Sequence, residues 1–270
     1  MKINLTHLRK RKAEKEKFSV ITCYDASFMQ AVNLAGIDVI LVGDSLGMVI
    51  KGYDSTVPVR MSDIVYHTEC VARAQNSEHQ AFIMADLPFM AYHSTQQTLE
   101  NAAELMRAGA NMVKLEGGAW QAETVTKLAD RGIPVCAHLG LTPQSVDKLG
   151  GYRIQGRDQA QKDKLFSDAK ELEKAGADIV LFECVPSSVT RELTKDLSVP
   201  TIGIGAGPDT DAQVLVLYDM LGLGHKHAKF VKNYLTKENI ASENAIADAL
   251  KRYDKEVKSG VYPGPEHQYN

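Results

Sequence analysis

The chain has 270 residues, of which 44% are hydrophobic and 24% charged, and its formal net charge is -3. This composition is typical of a soluble globular protein and excludes disordered, collagen-like and coiled-coil chains. The small negative charge predicts no nucleic-acid partner, because proteins that bind nucleic acids present a basic surface. No apolar run approaches the roughly 20 residues of a membrane-spanning helix, so we expect no membrane partner.

The cysteines and the start of the chain bear on the location of the protein. None of the four cysteines is close enough to another to form a CxxC pair, and both Cys23 and Cys136 lie inside apolar runs. Buried free thiols in a reducing compartment explain this pattern better than disulfides or a zinc site do. The charged amino-terminal segment also lacks the apolar stretch of a signal peptide. We therefore expect a cytoplasmic protein.

The first predicted element is an amino-terminal helix. Its basic residues, Arg9 to Lys12 with Lys15 and Lys17, are interleaved with Glu14 and Glu16. Such alternation of charges is typical of a helix face that is exposed to solvent, and we predict a solvated face here.

Short apolar runs then recur along the chain, each followed by a stretch of helical character. Continuous apolar runs of this length are typical of strands that are buried on both faces of a parallel sheet. The predicted strands are Ser19–Cys23, Val39–Val42, Ala81–Ala85, Met112–Leu115, Pro134–Ala137, Ile179–Phe182, Thr201–Ile204 and Val214–Leu217. The predicted helices between them are Ala26–Leu34, Ser62–Gln75, Thr95–Arg107, Ala122–Asp130, Asp158–Lys174 and Ser188–Leu197.

An Ala-Gly pair is repeated at the ends of three predicted helices, as Ala35-Gly36, Ala108-Gly109 and Ala175-Gly176. Glycine tolerates the left-handed conformation with which helices commonly end, so each pair marks a junction between a helix and a strand. A strand–helix unit repeated about eight times predicts an α/β protein with a closed (β/α)8 barrel, the TIM-barrel fold. An open, doubly wound sheet is the alternative.

The organisation of the whole chain follows from the absence of a linker. No stretch rich in proline and serine divides the sequence, so we predict one domain over residues 1–270. Residues 225–258 have helical character and are predicted to pack outside the barrel. Residues 260–270 are predicted to form a short carboxyl-terminal tail.

Polar residues end most of the predicted strands. In (β/α)8 barrels the carboxyl ends of the strands and the loops after them build the active site. Lys114 lies two residues before Glu116, and because side chains alternate along a strand, both point into the barrel mouth. The candidate site residues are Asp44, Ser45, Asp86, Lys114, Glu116, His138 and Glu183.

Three of these acids, Asp44, Asp86 and Glu116, come from successive strands. A single acid in this position is readily explained as a helix cap or a surface residue, whereas three on one rim indicate a site. Neighbouring carboxylates repel each other unless a cation or a proton separates them. Oxygen ligands select a hard ion, and Mg²⁺ commonly takes one or two carboxylates together with water and substrate. We therefore predict a magnesium site.

The roles of the other candidates stay open on the residues alone. Glu183 lies in an apolar stretch; apolar surroundings raise the pKa of carboxyl groups in general, which suits a general base, but a salt-bridged acid is the alternative. Lys114 is compatible with pairing to a substrate carboxylate, forming a Schiff base or neutralising Glu116. His138 is compatible with binding substrate, shuttling protons or forming a hydrogen bond within its own loop.

The glycines from Gly203 to Gly207 follow the seventh predicted strand. Loops after strands 7 and 8 of barrels often bind phosphate, but glycines there are equally compatible with a tight turn. The pattern is not a GxGxxG after a first strand, so it gives little support to a dinucleotide site. Catalysis by Cys136 is also poorly supported, since the residue lies in the middle of an apolar run.

Several segments that run in order over almost the whole chain carry a family resemblance. With them the chain closely resembles the ketopantoate hydroxymethyltransferases, (β/α)8 barrels of the phosphoenolpyruvate mutase and isocitrate lyase type. Two positions depart from the family pattern, His93 and Ala212. The segments are Thr22–Asp25 (TCYD), Val42–Gly47 (VGDSLG), Ala85–Met90 (ADLPFM), Val113–Gly118 (VKLEGG), His138–Val146 (HLGLTPQSV), Gly150–Arg157 (GGYRIQGR), Ile202–Gly207 (IGIGAG), Asp219–Leu223 (DMLGL) and Ser259–His267 (SGVYPGPEH).

The resemblance implies transfer of a hydroxymethyl group from 5,10-methylenetetrahydrofolate to 3-methyl-2-oxobutanoate, giving 2-dehydropantoate in pantothenate and coenzyme A biosynthesis. It also implies a homo-oligomer, expected as a homodecamer. The implied roles are Mg²⁺ ligation and substrate contact for Asp44 and Asp86, Mg²⁺ ligation directly or through water for Glu116, substrate contact for Ser45, Lys114 and His138, and removal of the C3 proton for Glu183.

Three other functions remain as alternatives. The first is a metal-dependent lyase or mutase of the same superfamily that makes or breaks a C–C bond in another 2-oxo acid. The second is a metal-free aldolase in which Lys114 forms a Schiff base. The third is a binding or assembly protein without activity, which the set of acids on one rim argues against.

Overall fold

The computed structural model describes residues 2–76, 78–223, 228–236 and 240–270. Its strands form a closed parallel barrel in which each strand pairs with the next, and β8 pairs back with β1. The predicted TIM-barrel fold is therefore confirmed. The strands are β1 (Phe18–Thr22), β2 (Val39–Val42), β3 (Phe82–Asp86), β4 (Met112–Glu116), β5 (Val135–Gly140), β6 (Ile179–Glu183), β7 (Thr201–Ile204) and β8 (Ala212–Leu215).

Helices surround the barrel and match the six predicted between the strands to within a few residues. Three one-turn helices were not predicted, because they are too short to show a periodic pattern. No helix among the described residues is long and apolar enough to span a membrane. The helices are α1 (Leu5–Glu14), α2 (Ala26–Ala35), α3 (Leu46–Val49), α4 (Met61–Arg73), α5 (Thr95–Ala108), α6 (Ala122–Ala129), α7 (Val146–Leu149), α8 (Gln159–Lys174), α9 (Ser187–Asp196), α10 (Leu217–Met220) and α11 (Ala245–Lys258).

The Ala-Gly junctions have the predicted conformation. Gly36 and Gly109 cap α2 and α5 with φ angles of 71° and 113°. A Cβ on Gly109 would lie 2.5 Å from the Cβ of Ala72, so glycine also allows α5 to approach α4. The helices consequently end close to the next strand, and every residue of β1 to β4 is buried.

The last strand begins two residues earlier than predicted. Ala212, one of the two departures from the family pattern, pairs in register with Phe18 of β1 and starts β8. The apolar run continues past the end of the strand into α10, where the backbone N–H of Leu217 donates to Thr22 Oγ1 at 2.9 Å. Because the run crosses the boundary between strand and helix, its composition does not reveal where β8 ends.

The carboxyl-terminal region is less helical than predicted. Of the stretch 225–258, only α11 is an α-helix among the described residues; 225–227 and 237–239 lie outside them. In α11, Tyr253 is fully buried and its hydroxyl donates to the carbonyl oxygens of Val20 and Gln213, at 2.9 and 2.8 Å. Residues 260–270 lie against the protein: the hydroxyl of buried Tyr262 donates to a backbone carbonyl oxygen at 2.6 Å.

The amino-terminal helix covers the amino end of the barrel. The prediction that its basic face is solvated holds for Lys10 and Lys15, which are exposed, but it is wrong for Arg11 and Lys12. Arg11 forms two contacts of 2.8 and 2.9 Å with the carboxylate of Asp38, which precedes β2. Lys12 donates to Asp211, which precedes β8, at 2.9 Å. The partner acids lie far along the chain, so the local charge pattern does not reveal these pairs.

Replacing Arg11 with glutamine is expected to lower the free energy of unfolding by about 1–3 kcal/mol. The side chain of Asp38 is only 2% exposed, and although Lys258 also contacts it at 3.0 Å, the variant removes its bidentate partner. Urea unfolding monitored by circular dichroism measures the change. Lys10→Gln on the exposed side of α1 is the control, and equal losses in both variants would contradict the pairing argument.

Candidate active site

The candidate residues meet at the carboxyl ends of the strands, inside the barrel mouth. Adjacent strands place them side by side: Asp86 is in register with Lys114, and Glu116 with His138. Five of them are at most 4% exposed, namely Asp44, Asp86, Lys114, Glu116 and His138. Five buried ionisable side chains require partners, and they find them mainly in one another and in the neighbouring backbone.

Asp86 links Lys114 to Asp44, because each of its two carboxylate oxygens accepts a hydrogen bond from one of them. Oδ1 accepts a hydrogen bond from the ammonium group of Lys114, and Oδ2 accepts one of 2.9 Å from the backbone N–H of Asp44. A Cβ on Gly43 would lie 3.4 Å from Asp86 Oδ2 and 2.9 Å from Ser45 Oγ, so glycine allows this close approach. Lys114 therefore neutralises Asp86 directly, rather than Glu116.

The charge states of the cluster follow from burial and from the neighbouring charges. Burial raises the pKa of Asp44 well above its usual value, and the negative charges of Asp86 and Glu116 raise it further. Burial alone would lower the pKa of Lys114, but the surrounding carboxylates outweigh this effect and raise it. Lys114 is consequently a persistent cation, whereas an amine that forms a Schiff base needs a lowered pKa.

His138 lies between two acids. Its Nδ1 is 3.5 Å from Oε1 of Glu116, and its Nε2 is 3.3 Å from Oε2 of Glu183. Burial acts to lower the pKa of the imidazole, but the two carboxylates raise it to about 9. The imidazolium therefore bridges the buried acid cluster and Glu183, instead of bonding within its own loop.

Glu183 is the most accessible acid of the site, with a side chain that is 15% exposed against 3% for Glu116. Its apolar neighbours in the sequence predicted apolar surroundings, whereas in the structure its carboxylate faces the ring of His138. Ser45 lies on the other side of the mouth, where its hydroxyl and that of Tyr24 are 2.8 Å apart.

Two buried residues that the sequence analysis did not single out, Tyr92 and Gln144, contact the cluster. The side-chain amide of Gln144 donates to Asp44 Oδ2 at 2.8 Å, and its backbone N–H donates to Glu116 Oε2 at 3.1 Å. The hydroxyl of Tyr92 donates to Gln144 Oε1 at 2.6 Å. Gln144 lies inside the segment His138–Val146 that carries the family resemblance, and this was the only signal for it in the sequence.

The oxygen donors of the cluster fit a hard divalent cation. Oε1 of Glu116 is buried and faces Nδ1 of His138 at 3.5 Å, but it accepts no hydrogen bond from the residues that the structure describes, which leaves it available as a ligand. Among the described residues, no three His, Cys, Asp or Glu side chains are already arranged as a ligand cluster. Mg²⁺ does not require one, because it commonly takes one or two carboxylates and completes its shell with water and substrate.

A cavity of about 770 Å³ opens beside Glu116 and His138 and extends over the loops that follow β4 and β5. Its outer wall includes His93, the second departure from the family pattern, and Trp120, which is 71% exposed. A cavity of this size accommodates an organic molecule considerably larger than a short 2-oxo acid.

The glycine loop after β7 is filled by protein. Gly205 and Gly207 have φ angles of 59° and 79°, and a Cβ on Gly205 would lie 2.7 Å from the ring of Phe230. A Cβ on Gly207 would lie 2.5 Å from that of Ser187. These contacts agree with the tight-turn interpretation of the loop and not with a phosphate site.

The cysteines behave as the sequence analysis predicted. All four are free thiols, and Cys23, Cys136 and Cys184 are buried. Burial raises the pKa of both Cys23 and Cys136 to about 12, so neither thiol ionises readily near neutral pH. A raised thiol pKa argues against catalysis by Cys136, in line with the position of this residue in an apolar run.

A closed (β/α)8 barrel with buried carboxylates, a lysine and a histidine at its carboxyl-terminal mouth defines a TIM-barrel enzyme. Among solved structures, phosphonopyruvate hydrolase is similar with a TM-score of 0.60 and 13% identity, covering 79% of this chain and 80% of that one. A 2,3-dimethylmalate lyase of the phosphoenolpyruvate mutase/isocitrate lyase superfamily has a TM-score of 0.58 and 17% identity, covering 82% and 81%. These similarities show the fold.

Sequence comparison shows the family. The family model described as ketopantoate hydroxymethyltransferase matches residues 2–265. A 3-methyl-2-oxobutanoate hydroxymethyltransferase of Marinomonas sp. is 54% identical over 268 residues, covering 99% of this chain and 94% of the relative. That of Pseudomonas fluorescens is 53% identical over 270 residues, covering 99% and 98%. The chain belongs to the ketopantoate hydroxymethyltransferase family, and the predicted enzyme class is confirmed.

Proposed function

We propose that the protein transfers the one-carbon unit of 5,10-methylenetetrahydrofolate to C3 of 3-methyl-2-oxobutanoate. In this reaction the C3–H bond breaks, a C–C bond to the methylene carbon forms, water supplies the hydroxyl group, and tetrahydrofolate leaves. The product is 2-dehydropantoate, a precursor in pantothenate and coenzyme A biosynthesis. The observation that carries the proposal is the arrangement of Glu183 at the edge of a buried cluster that contains both acids and cations, in a chain of this family.

The substrate presents a carboxylate and a keto oxygen, and its C3 proton is acidified by the neighbouring carbonyl. Lys114 holds the carboxylate, because its ammonium group uses one donor on Asp86 and has others to offer. Ser45 contributes a hydroxyl at the same end of the site, and His138 borders the substrate with its imidazolium ring. These contacts orient C3 toward Glu183.

Glu183 removes the C3 proton as a general base. Its carboxylate is the accessible one, and the contact of 3.3 Å with His138 restrains its position. Asp44, Asp86 and Glu116 would hold Mg²⁺. When bound, this cation supplies positive charge beside the keto oxygen, where negative charge develops as the proton leaves.

The first test is proton exchange without the folate. The protein is incubated with 3-methyl-2-oxobutanoate in D₂O, with and without Mg²⁺, and loss of the C3 proton is followed by NMR. We expect exchange that depends on the cation, and 2-dehydropantoate once the folate is added. No exchange and no product under any of these conditions would overturn the proposal, whereas another product would indicate a lyase or mutase of the same fold.

The same incubation separates this reaction from that of a Schiff-base aldolase. Because Lys114 is a persistent cation paired with Asp86, borohydride added with the substrate is expected to trap no adduct on it. A labelled Lys114 peptide would instead support the aldolase.

The large cavity is the proposed site of the folate, since it adjoins Glu116 and His138 at its inner end. Trp120 is the only tryptophan of the chain and lines the outer end, so its fluorescence reports on the cavity. Tetrahydrofolate is expected to quench this fluorescence in a saturable manner. Trp120→Phe provides the blank, and calorimetry checks binding independently. Saturable binding by calorimetry without quenching would place the folate elsewhere.

Assembly and location complete the proposal. The family resemblance supports a homodecamer, and free, mostly buried cysteines support the reducing conditions of the cytoplasm. No nucleic-acid or membrane partner is proposed, in agreement with the net charge of -3. Sedimentation velocity tests the assembly: one species with the mass of ten chains is expected, and a monomer would contradict it.

A further inference from the structure

Gln144 has an unusual position among the acids of the site. It lies in the 3₁₀ turn Pro143–Ser145 after β5 and is 4% exposed. Its side chain reaches Asp44 and its backbone N–H reaches Glu116, so this one residue contacts two of the three acids proposed to hold the cation.

The orientation of the amide is determined by its neighbours. Nε2 donates to Asp44 Oδ2 and to the carbonyl oxygen of Leu87, at 2.8 and 3.0 Å, so both of its hydrogens are used. Oε1 accepts the hydroxyl proton of Tyr92. A flipped amide would set its oxygen against a carboxylate and a carbonyl, which are acceptors only, and would turn two donor hydrogens toward Tyr92. Tyr92 and Leu87 therefore hold the amide in one orientation.

We propose that Gln144, oriented by Tyr92, is a positioning residue for the cation site: it holds one carboxylate oxygen of Asp44 and one of Glu116 and thereby fixes the orientation of both carboxylates. The proposal rests on the function proposed above. On Glu116 the second oxygen, Oε1, lies 3.5 Å from Nδ1 of His138 and accepts no hydrogen bond within the described part of the chain.

The chemistry of an amide suits this role better than that of a basic residue. A lysine or arginine would fix the carboxylates equally well, but its charge would neutralise them and compete with the cation. The side-chain amide donates to Asp44 and the backbone N–H donates to Glu116, and these neutral donors leave the negative charge of both acids in place. Groups that orient metal ligands in this manner typically change metal affinity by about 10–100-fold when they are replaced.

The test measures binding of Mn²⁺ alone, by electron paramagnetic resonance, so that no catalytic turnover is needed. Gln144→Met keeps the size of the side chain and the backbone N–H but removes the contact with Asp44. We expect its Mn²⁺ affinity to fall about 10–100-fold. Tyr92→Phe, which only frees the amide to turn, is expected to weaken binding less.

The matched control is Gln121→Met. Gln121 is also a buried glutamine, 1% exposed, but among the described residues its Nε2 has no hydrogen-bond partner and so bonds to none of the three acids. The affinity of the Gln121→Met protein for Mn²⁺ is expected to equal that of the wild type. If both variants lost the same Mn²⁺ affinity, the loss would be a general consequence of removing a buried amide, and the proposal would be overturned.

The dependence of kcat on the Mg²⁺ concentration is a second readout, and a merely structural role of Gln144 would leave it unchanged. In Gln144→Met, raising the Mg²⁺ concentration is expected to restore much of kcat, because the defect lies in cation affinity. Wild-type affinity for Mn²⁺ in a folded Gln144→Met protein would overturn the positioning role alone. Absence of Mn²⁺ binding by the wild type would instead remove the proposed cation site itself. Where Gln144→Met does not fold, unchanged affinity in Tyr92→Phe overturns the role.

Discussion

Replacing Glu183 with glutamine is expected to slow deuterium exchange at C3 of 3-methyl-2-oxobutanoate by about 10²–10⁴-fold, the usual contribution of a positioned general base. The variant keeps an oxygen atom to face His138, which lies 3.3 Å from the present carboxylate. It removes the ability to accept the proton and leaves the buried acids and Lys114 unchanged. Substrate and cation should therefore still bind, and the loss should appear in the exchange rate rather than in affinity.

The measurement is the NMR exchange experiment in D₂O, repeated with the variant at saturating substrate and Mg²⁺. Glu192→Gln is the matched control, because Glu192 lies on α9 in an exposed ion pair with Lys162 and undergoes the same chemical change. Exchange at the wild-type rate in Glu183→Gln would transfer the role of base to another group.

Most parts of this site that could be identified from the sequence share one property: they are polar residues at or just after the end of a predicted apolar run. Asp86 and Glu116 are the last residues of β3 and β4, and Glu183 is the last residue of β6. In a parallel barrel all such positions meet on one rim, so recognising the strands is sufficient to bring these acids together. No knowledge of long-range packing is needed.

The position of Gln144 in the site could not be predicted from the local sequence pattern. It lies four residues beyond β5, in a loop where no periodicity assigns a direction to a side chain. Its contact with Asp44 joins residues that are 100 positions apart. Such a contact depends on how the loops after β2 and β5 fold over the mouth, and a local pattern does not specify that.

The prediction for the basic face of α1 is wrong at Arg11 and Lys12 for a related reason. Arg11 and Lys12 are residue types that are usually exposed to solvent, yet acids in the loops before β2 and β8 form ion pairs with them. Lys12 and Asp211 are 199 positions apart. Alternating charges in a helix indicate polarity only, and they do not distinguish between water and an acid as the partner.

Replacing Lys114 with methionine is expected to lower the free energy of unfolding by about 3–5 kcal/mol at neutral pH, the usual cost of breaking a buried ion pair. Lys114 is 4% exposed and is the cation in contact with Asp86. Methionine fills most of the same volume, so packing changes little. Without the ammonium group, Asp44, Asp86 and Glu116 remain as buried neighbouring anions, and their mutual repulsion is no longer offset.

The pH dependence of this loss distinguishes charge from packing. Burial and the neighbouring anions already raise the pKa of Asp44, and removing Lys114 raises it further. Between the unfolded pKa of about 3.9 and the raised folded value, the native state binds more protons than the unfolded state does. Stability of the variant therefore falls as pH rises through this range, and it recovers as Asp44 is protonated toward acid pH. A loss caused by poor packing would be independent of pH.

Urea unfolding at a fixed protein concentration, over a series of pH values, measures both effects. Lys251→Met on the exposed side of α11 is the control for removal of a positive charge, and it is expected to change stability by less than about 0.5 kcal/mol. Added Mg²⁺ should restore part of the lost stability in Lys114→Met, because a divalent cation among the same oxygens takes over the neutralisation. A pH-independent loss that Mg²⁺ does not reduce would show that Lys114 acts by filling space, and that the three carboxylates do not form one electrostatic unit.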